Sequence, residues 1–163
     1  MLALADYLEL SHVHASSRRQ GPGLIDLALK RLGKQRRVVL PELPFDPVTV
    51  PRLTMTACGS AYLAGLVGRY WIEELARLPV DADFASEFRY RDPPLPYGGG
   101  ALLVSQSGET ADTMAALRLL KERGQRVLSI VNVPESTMAR ESDAAVLTVA
   151  GPEIGVASTK AFT

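Results

Sequence analysis

The hydrophobic pattern becomes regular at Leu53, where a repeated unit begins: a short apolar run, a turn of small or polar residues, then helical spacing. The repeat predicts strands over 53–58, 80–85, 101–105, 126–132 and 144–150. Helices are predicted between them, over 61–78, around 86–91, over 110–124 and over 135–142. Strands that alternate with helices favour an α/β fold, here an open five-stranded parallel sheet flanked by helices.

The chain before Leu53 has a weaker pattern. Residues 23–33 predict one short helix. Prolines at 41, 44, 47 and 51 exclude a regular helix after it and predict an extended connector. We therefore expect three parts: an N-terminal segment (1–37) with one helix, a proline-rich connector (38–52) and a domain (53–163).

Composition and charge exclude several classes of protein. The 163 residues carry 18 Lys and Arg against 18 Asp and Glu, so no overall field favours nucleic acid or a membrane surface as a partner. No apolar run is long enough to span a bilayer, and the start of the chain does not resemble a signal peptide. The single cysteine, Cys58, fits a reducing compartment, and we expect a cytoplasmic protein.

The segment SQSGET (105–110) places several hydroxyl groups where a strand ends and a helix begins. Free amides at the start of a helix, together with the helix dipole, favour an anion. The hydroxyls of Ser105, Ser107 and Thr110 and the amide of Gln106 could hold a phosphate without any lysine. The alternative is that Ser107 or Thr110 only caps the helix and the others line a polar turn.

Two further loops follow strands with similar chemistry. Ser60 lies at a helix start after the first strand, and Ser158 and Lys160 lie in a glycine-containing loop after the last. In a doubly wound sheet, loops after the first and third strands can face one crevice. Each loop could instead be an ordinary turn with a helix cap.

Several segments together resemble a known family. TACGSAYLAG, ASEFRYR, SQSGETADT, VNVPESTMARESD and GPEIGVASTKAFT occur in the order and spacing of the first sugar isomerase (SIS) half of glutamine–fructose-6-phosphate aminotransferases, also called glucosamine-6-phosphate synthases. The resemblance implies a flavodoxin-like three-layer sandwich that binds fructose 6-phosphate or glucosamine 6-phosphate. It implies that the phosphate is held by Ser105, Gln106, Ser107 and Thr110, that Ser60 lines the site, and that Val156 and Ser158 touch the sugar.

The chain also departs from the family. Ala61 stands where a serine is common, and residues 1–37 match poorly. The family's catalytic groups belong to a second SIS half, so we assign no catalytic residue and expect a C-terminally truncated, incomplete domain that binds but does not turn over alone. Homodimerisation is left open. A noncatalytic sugar-phosphate regulator and a scaffold without ligand are the alternatives.

The remaining polar and small residues predict no further site. His12 and His14 lack the partners that a metal site needs, so no metal and no cofactor is expected. Glu87 and Glu109 lie beside polar loops, where a backbone or interface contact is favoured over acid–base work. Glycines at 65 and 68 within a predicted helix indicate close packing against another backbone, either of the sheet or of a second subunit.

Overall fold

A computed structural model describes residues 11–12, 24–34, 37–38, 43–151 and 153. The chain divides into two compact units, Met1–Pro41 and Glu42–Thr163. In the first unit, the described elements are two parallel two-residue strands and one helix: β1 (Ser11–His12), β2 (Arg37–Val38) and α1 (Leu24–Arg31). The helix at 23–33 was predicted from the sequence, whereas the two short strands were not.

The second unit contains the five-stranded parallel sheet that the apolar runs predict. Its strands are β3 (Leu53–Ala57), β4 (Val80–Phe84), β5 (Gly100–Ser105), β6 (Arg126–Val131) and β7 (Ala144–Leu147). They lie in the order β4-β3-β5-β6-β7, and every neighbouring pair is parallel. The fully buried runs of β3 and β5 are typical of central strands that are covered on both faces.

Helices cover both faces of this sheet. They are α2 (Gly59–Ala76), α3 (Ala85–Arg91), α4 (Ala111–Glu122) and α5 (Thr137–Glu141). Alternation along the strands separates two cores: Met55 and Val104 pack on the α2 side, and Leu103 and Val127 pack on the side of α3, α4 and α5. The α/β class and the three layers are therefore as expected. No helix in the described residues is long and apolar enough to cross a membrane.

The helical glycines do not pack as predicted. A Cβ on Gly65 would lie 2.8 Å from the sulfur of Met55, so the close neighbour is a side chain of β3 and not another backbone. A Cβ on Gly68 would meet nothing within 4 Å. For Gly65 the prediction of a backbone neighbour was wrong, because helical spacing does not show which atoms fill the space beside a glycine.

The described part of the proline-rich segment is folded against the sheet. The carboxylate of Asp46 accepts the Val48 amide at 2.9 Å, and its carbonyl accepts the Thr49 and Val50 amides at 3.1 and 3.0 Å. Phe45 packs on the α2-side core and lies against Gly100, the first residue of β5. Residues 43–52 contain no helix or strand, but they form a turn and not the extended connector that the prolines predicted.

Strand order reverses between β3 and β5. Chain order runs outward from β3 to β4 on one side and from β5 through β6 to β7 on the other. Such a switch point opens a crevice beyond the carboxyl ends of the strands, where open α/β sheets bind ligands. The loops after β3 and β5 both lie at this edge of the sheet.

Candidate phosphate-binding site

Two helices begin at the switch point, one on each face of the sheet. In α2 the first helical bond runs from the Tyr62 amide to the Cys58 carbonyl, and in α4 from the Met114 amide to the Thr110 carbonyl. The amides of residues 59–61 and 111–113 precede these bonds and have no helical partner. Ser60 lies in the first turn of α2, half-buried. Because β3 and β5 pair directly, two helix N-termini face the same crevice.

The hydroxyl of Ser105 stabilises the loop that follows β5. The Ser105 side chain is buried, with 2% of the residue exposed. Its oxygen accepts the Gly108 amide at 3.0 Å and lies 3.2 Å from the hydroxyl of Thr110. Thr110 is the N-cap residue of α4, yet its side chain makes no capping hydrogen bond. The alternative that Thr110 caps α4 through its side chain is therefore wrong, and its hydroxyl is held against Ser105 at the helix start.

Gln106 and Ser107 of the same loop are half-buried. The Ser107 hydroxyl accepts the Glu109 amide at 3.2 Å, which is the turn contact that the alternative interpretation expected. The Gln106 carbonyl accepts the Asn132 amide at 3.0 Å. The structure thus brings Ser105, Ser107 and Thr110 together in one turn, with Gln106 fixed by its backbone.

Helix α5 supports this loop from the side. Gly108 has a φ of +66°, and its carbonyl accepts the Met138 amide at 3.0 Å. The Glu109 carboxylate accepts the Thr137 amide at 2.6 Å. This hydrogen bond lowers the pKa of Glu109 below its ordinary value, with a smaller lowering by the charge of Arg140. Glu109 makes the backbone contact that the sequence favoured.

Charges around the α4 start are nearly balanced. Asp112 lies in the first turn of α4, and a guanidinium nitrogen of Arg89 lies 3.7 Å from its carboxylate. The loop from Ser105 to Thr110 contains no lysine or arginine. Attraction of an anion to this loop therefore depends on amides, hydroxyls and the helix dipole.

Asn132 is a polar residue of this edge to which sequence analysis assigned no role. It follows β6 directly, and its side-chain oxygen accepts the Ala150 amide at 2.8 Å and the Thr148 hydroxyl at 3.0 Å. Its position at a strand end was the available signal, since all strand ends of a parallel sheet share one edge.

Three of the residues singled out in the last loop, Val156, Ser158 and Lys160, lie outside the described residues, as does His14. The described residues contain no cluster of three His, Cys, Asp or Glu side chains that could hold a metal ion. Two described cavities, of about 240 and 430 Å³, lie elsewhere: one beside β4 and residues 93–95, the other beside residues 47–51 and 76–79.

Comparison with families gives a match over most of the chain. Residues 49–163 match the family model described as SIS domain. A glutamine–fructose-6-phosphate aminotransferase (isomerizing) of Gluconobacter oxydans (strain 621H) is 58% identical over 154 residues, covering 93% of this chain and 25% of that protein. One from Bradyrhizobium diazoefficiens is 51% identical over 164 residues, covering 99% of this chain and 27% of that protein.

These alignments take in most of residues 1–37, for which the sequence analysis had found only a poor match. The chain spans about a quarter of the length of both relatives.

Solved structures share the fold. The C-terminal domain of glucosamine-fructose-6-phosphate aminotransferase from Francisella tularensis superposes with a TM-score of 0.68 at 47% identity, over 71% of this chain and 33% of that one. Glucosamine-6-phosphate deaminase from Thermotoga maritima superposes with a TM-score of 0.58 at 30% identity, over 60% of this chain and 31% of that one.

Proposed function

Because the chain belongs to the SIS domain family, we propose that it binds the phosphate group of a hexose 6-phosphate at the start of α4. One observation carries the proposal: the Thr110 hydroxyl stands at the N-terminus of α4 without capping it, 3.2 Å from the Ser105 hydroxyl. That arrangement leaves the first amides of α4 and a hydroxyl donor for an oxyanion.

The residues of the loop take different roles in this proposal. Ser105 holds the turn through the Gly108 amide, so that the Thr110 hydroxyl keeps its place at the helix start. Gln106, Ser107 and Thr110 are proposed to donate hydrogen bonds to phosphate oxygens. Ser60 is proposed to line the neighbouring wall, where α2 begins after β3. Contacts of Val156 and Ser158 with the sugar stay predictions.

The ligand is proposed to be fructose 6-phosphate or glucosamine 6-phosphate, as the names of the relatives suggest. On this reading the chain is the phosphosugar-binding part of the isomerase module of a glutamine–fructose-6-phosphate aminotransferase. A phosphate held away from the reacting carbons lets binding energy orient the substrate for proton transfers. Those transfers are assigned to no residue of this chain, and we expect no turnover by the chain alone.

Thermal unfolding with and without ligand tests the proposal. At a concentration one hundred times its dissociation constant, fructose 6-phosphate should stabilise the chain by about 2.7 kcal/mol. Fructose without the phosphate should give no shift at the same concentration. Thr110→Val, which keeps the shape of the side chain but removes the hydroxyl, should weaken binding about tenfold.

Ser107→Ala is the matched control for a second hydroxyl of the same loop, with a smaller expected loss because Ser107 already serves the turn. If neither fructose 6-phosphate nor glucosamine 6-phosphate shifts the unfolding temperature at millimolar concentration, the chain is a scaffold and the proposal is wrong. Equal shifts of the unfolding temperature with fructose and with fructose 6-phosphate would show that the chain does not recognise the phosphate group.

We also propose that the chain forms a homodimer in the cytoplasm. The outer face of α2 exposes between 49% and 73% of each of five large apolar side chains: Leu63, Val67, Tyr70, Trp71 and Leu75. An apolar stripe of this kind marks an interaction surface more often than a monomer surface. Cys58 is a free thiol, consistent with a reducing compartment. Sedimentation equilibrium of the wild type and of Trp71→Ser tests the dimer.

A further inference from the structure

The smaller of the two cavities lies at the free edge of β4. This strand is the last of the sheet on its side and pairs only with β3. The pairing begins with the bond from the Leu53 amide to the Pro79 carbonyl at 2.9 Å. Because successive residues of a strand point their backbone groups to alternate sides, residues 79, 81 and 83 bond to β3 and residues 80, 82 and 84 face the open side.

Two of the three amides on the open side already have acceptors. The Glu73 carboxylate accepts the Val80 amide at 3.1 Å, and the Asp83 carboxylate accepts the Phe84 amide at 2.9 Å. The half-buried Ala82 lies between them and lines the cavity of about 240 Å³. Its backbone has no hydrogen-bond partner on that side among the described residues. Ala82 therefore leaves one N–H donor and one carbonyl acceptor for a ligand.

Arg69 of α2 supplies a positive charge to the cavity. One oxygen of Glu73 accepts both the Arg69 Nε at 3.2 Å and the Val80 amide, which holds Arg69 beside the edge of β4. The two terminal guanidinium nitrogens of Arg69 form no hydrogen bond to any part of the chain that the structure describes. A guanidinium with free terminal nitrogens is suited to a carboxylate.

Two carboxylates balance the positive charges of this wall. The ion pair with Arg52 uses only the Oδ2 of Asp81, and within the described residues the Oδ1 accepts no hydrogen bond. Asp83 is paired with Arg91 at 2.6 Å. The lining thus carries two carboxylates and two guanidinium groups. A phosphate would be repelled by the carboxylates, whereas a ligand with one charge of each sign finds a partner for both.

The remaining wall of the cavity is apolar. It includes Phe88, Pro93 and Leu95, and Leu95 packs against the core on the α4 side. The volume lies below the roughly 300–1,000 Å³ of pockets that hold drug-sized ligands. The cavity therefore suits a small molecule with a short apolar part.

We propose that this cavity binds an α-amino acid with an aliphatic side chain. The ligand carboxylate accepts hydrogen bonds from the terminal nitrogens of Arg69 and from the Ala82 amide. The ligand ammonium donates to the free Oδ1 of Asp81 and to the Ala82 carbonyl. Its side chain packs on Phe88 and Leu95. The site is separate from the Ser105–Thr110 loop, and the inference does not depend on the proposed function.

Three related compounds test which parts of the ligand are recognised. L-leucine carries both charges, 4-methylpentanoate lacks the ammonium group, and 3-methylbutylamine lacks the carboxylate. For L-leucine we expect a dissociation constant on the order of 1 mM, in keeping with its small size. The other two compounds should bind at least about tenfold more weakly, because each loses its charge-assisted hydrogen bonds at one end. NMR titrations of the full chain measure the three constants.

Two variants test the residues. Arg69→Gln and Asp81→Asn should each weaken L-leucine binding about tenfold. Arg69→Gln should leave the weaker binding of 3-methylbutylamine unchanged, since that compound has no carboxylate. Both residues form exposed ion pairs, which contribute little to stability, so both variants should fold. The matched control is Arg118→Gln, which removes an exposed guanidinium 3.0 Å from Glu141 outside the cavity and should change L-leucine binding less than about twofold.

Several results would overturn the proposal. They are no binding of L-leucine at about 10 mM, equal binding of all three compounds, and equal losses in Arg69→Gln and Arg118→Gln. Fructose 6-phosphate should not compete with L-leucine, and competition would place L-leucine in the Ser105–Thr110 loop and contradict the inference. A chain that binds L-leucine but no sugar phosphate would support this inference while contradicting the proposed function.

Discussion

Gly108 packs against the side chain of Ser136, whose hydroxyl accepts the Ala139 amide and caps α5. Any Cβ at position 108 would occupy the space of that hydroxyl. The loop from Ser105 to Thr110 and the start of α5 therefore form one packed unit, closed by the bond from the Met138 amide to the Gly108 carbonyl. The shape of the loop depends on this contact as much as on its own hydroxyls.

Replacing Gly108 by alanine should destabilise the fold strongly. The substitution adds a left-handed strain of about 1–2 kcal/mol at φ +66° and a clash of about 1–3 kcal/mol with Ser136. Urea unfolding should show a loss of about 3 kcal/mol. Gly124→Ala is the matched control, since Gly124 has a φ of +73° but open space around it, and it should cost about 1 kcal/mol. Equal losses in the two variants would show that Ser136 does not restrict the loop.

The two glycines of α2 should respond to alanine in opposite ways. Gly68→Ala should raise the free energy of unfolding by about 0.5–1 kcal/mol, because the position is helical and its new Cβ meets nothing within 4 Å. Gly65→Ala should give no gain and a loss of up to about 2 kcal/mol, because its Cβ would press on Met55. Thermal denaturation of both variants checks this. A gain in both would show that Met55 moves aside at no cost.

Asp143 should make the stability of the domain depend on pH. Burial by itself raises the pKa of this carboxyl, but the hydrogen bond from the Val127 amide and the charges of Lys121 and Arg126 outweigh it, so the pKa is lowered. The stabilising contribution is therefore present above the unfolded pKa of about 3.9 and is lost as pH falls through the lower folded pKa. Lys121 lies 3.1 Å and Arg126 3.9 Å from the carboxylate.

The expected result is that Asp143→Asn costs about 1–3 kcal/mol at pH 7 and progressively less in acid. Unfolding curves between neutral pH and pH 2 for wild type and variant measure this difference. The curves should converge at the acid end. A difference in the free energy of unfolding that stays constant down to pH 2 would contradict the assignment. It would show that the substitution acts through packing and not through the charge of the carboxylate.

The sequence predicted the sheet well because its central strands are short apolar runs between turn residues. The last strand was predicted to run to residue 150, yet β7 ends at Leu147, since Thr148 and Ala150 bond to Asn132 and Val149 turns to positive φ. The two-residue strands β1 and β2 were missed because so short a pairing produces no alternation.

The residue types of the candidate site were predicted from the sequence, but the hydrogen bonds between those residues were not. The hydroxyls of the Ser105–Thr110 loop were visible in the sequence, as was their place after a strand. The side-chain hydrogen bonds that shape the site were not visible: Thr110 with Ser105, Glu109 with Thr137, and Asn132 with the turn after β7. Side-chain hydrogen bonds, whether local like Ser105 with Thr110 or long-range like the other two, leave no periodicity in the sequence, so they appear only when the chain is folded.

The two ends of the sheet differ in their packing, and Phe45 lies over Gly100 at one of them. At the amino end of β5, the aromatic ring lies where a Cβ of residue 100 would be, and Gly99 is enclosed in the same way by Pro96 and Gln125. That end is closed by tight side-chain contacts, whereas the opposite end carries the first amides of α2 and α4, which have no partner within their own helices. Substitutions near Phe45 should therefore change the resistance of the protein to unfolding. Substitutions at the carboxyl end of the sheet should instead change its affinity for a ligand.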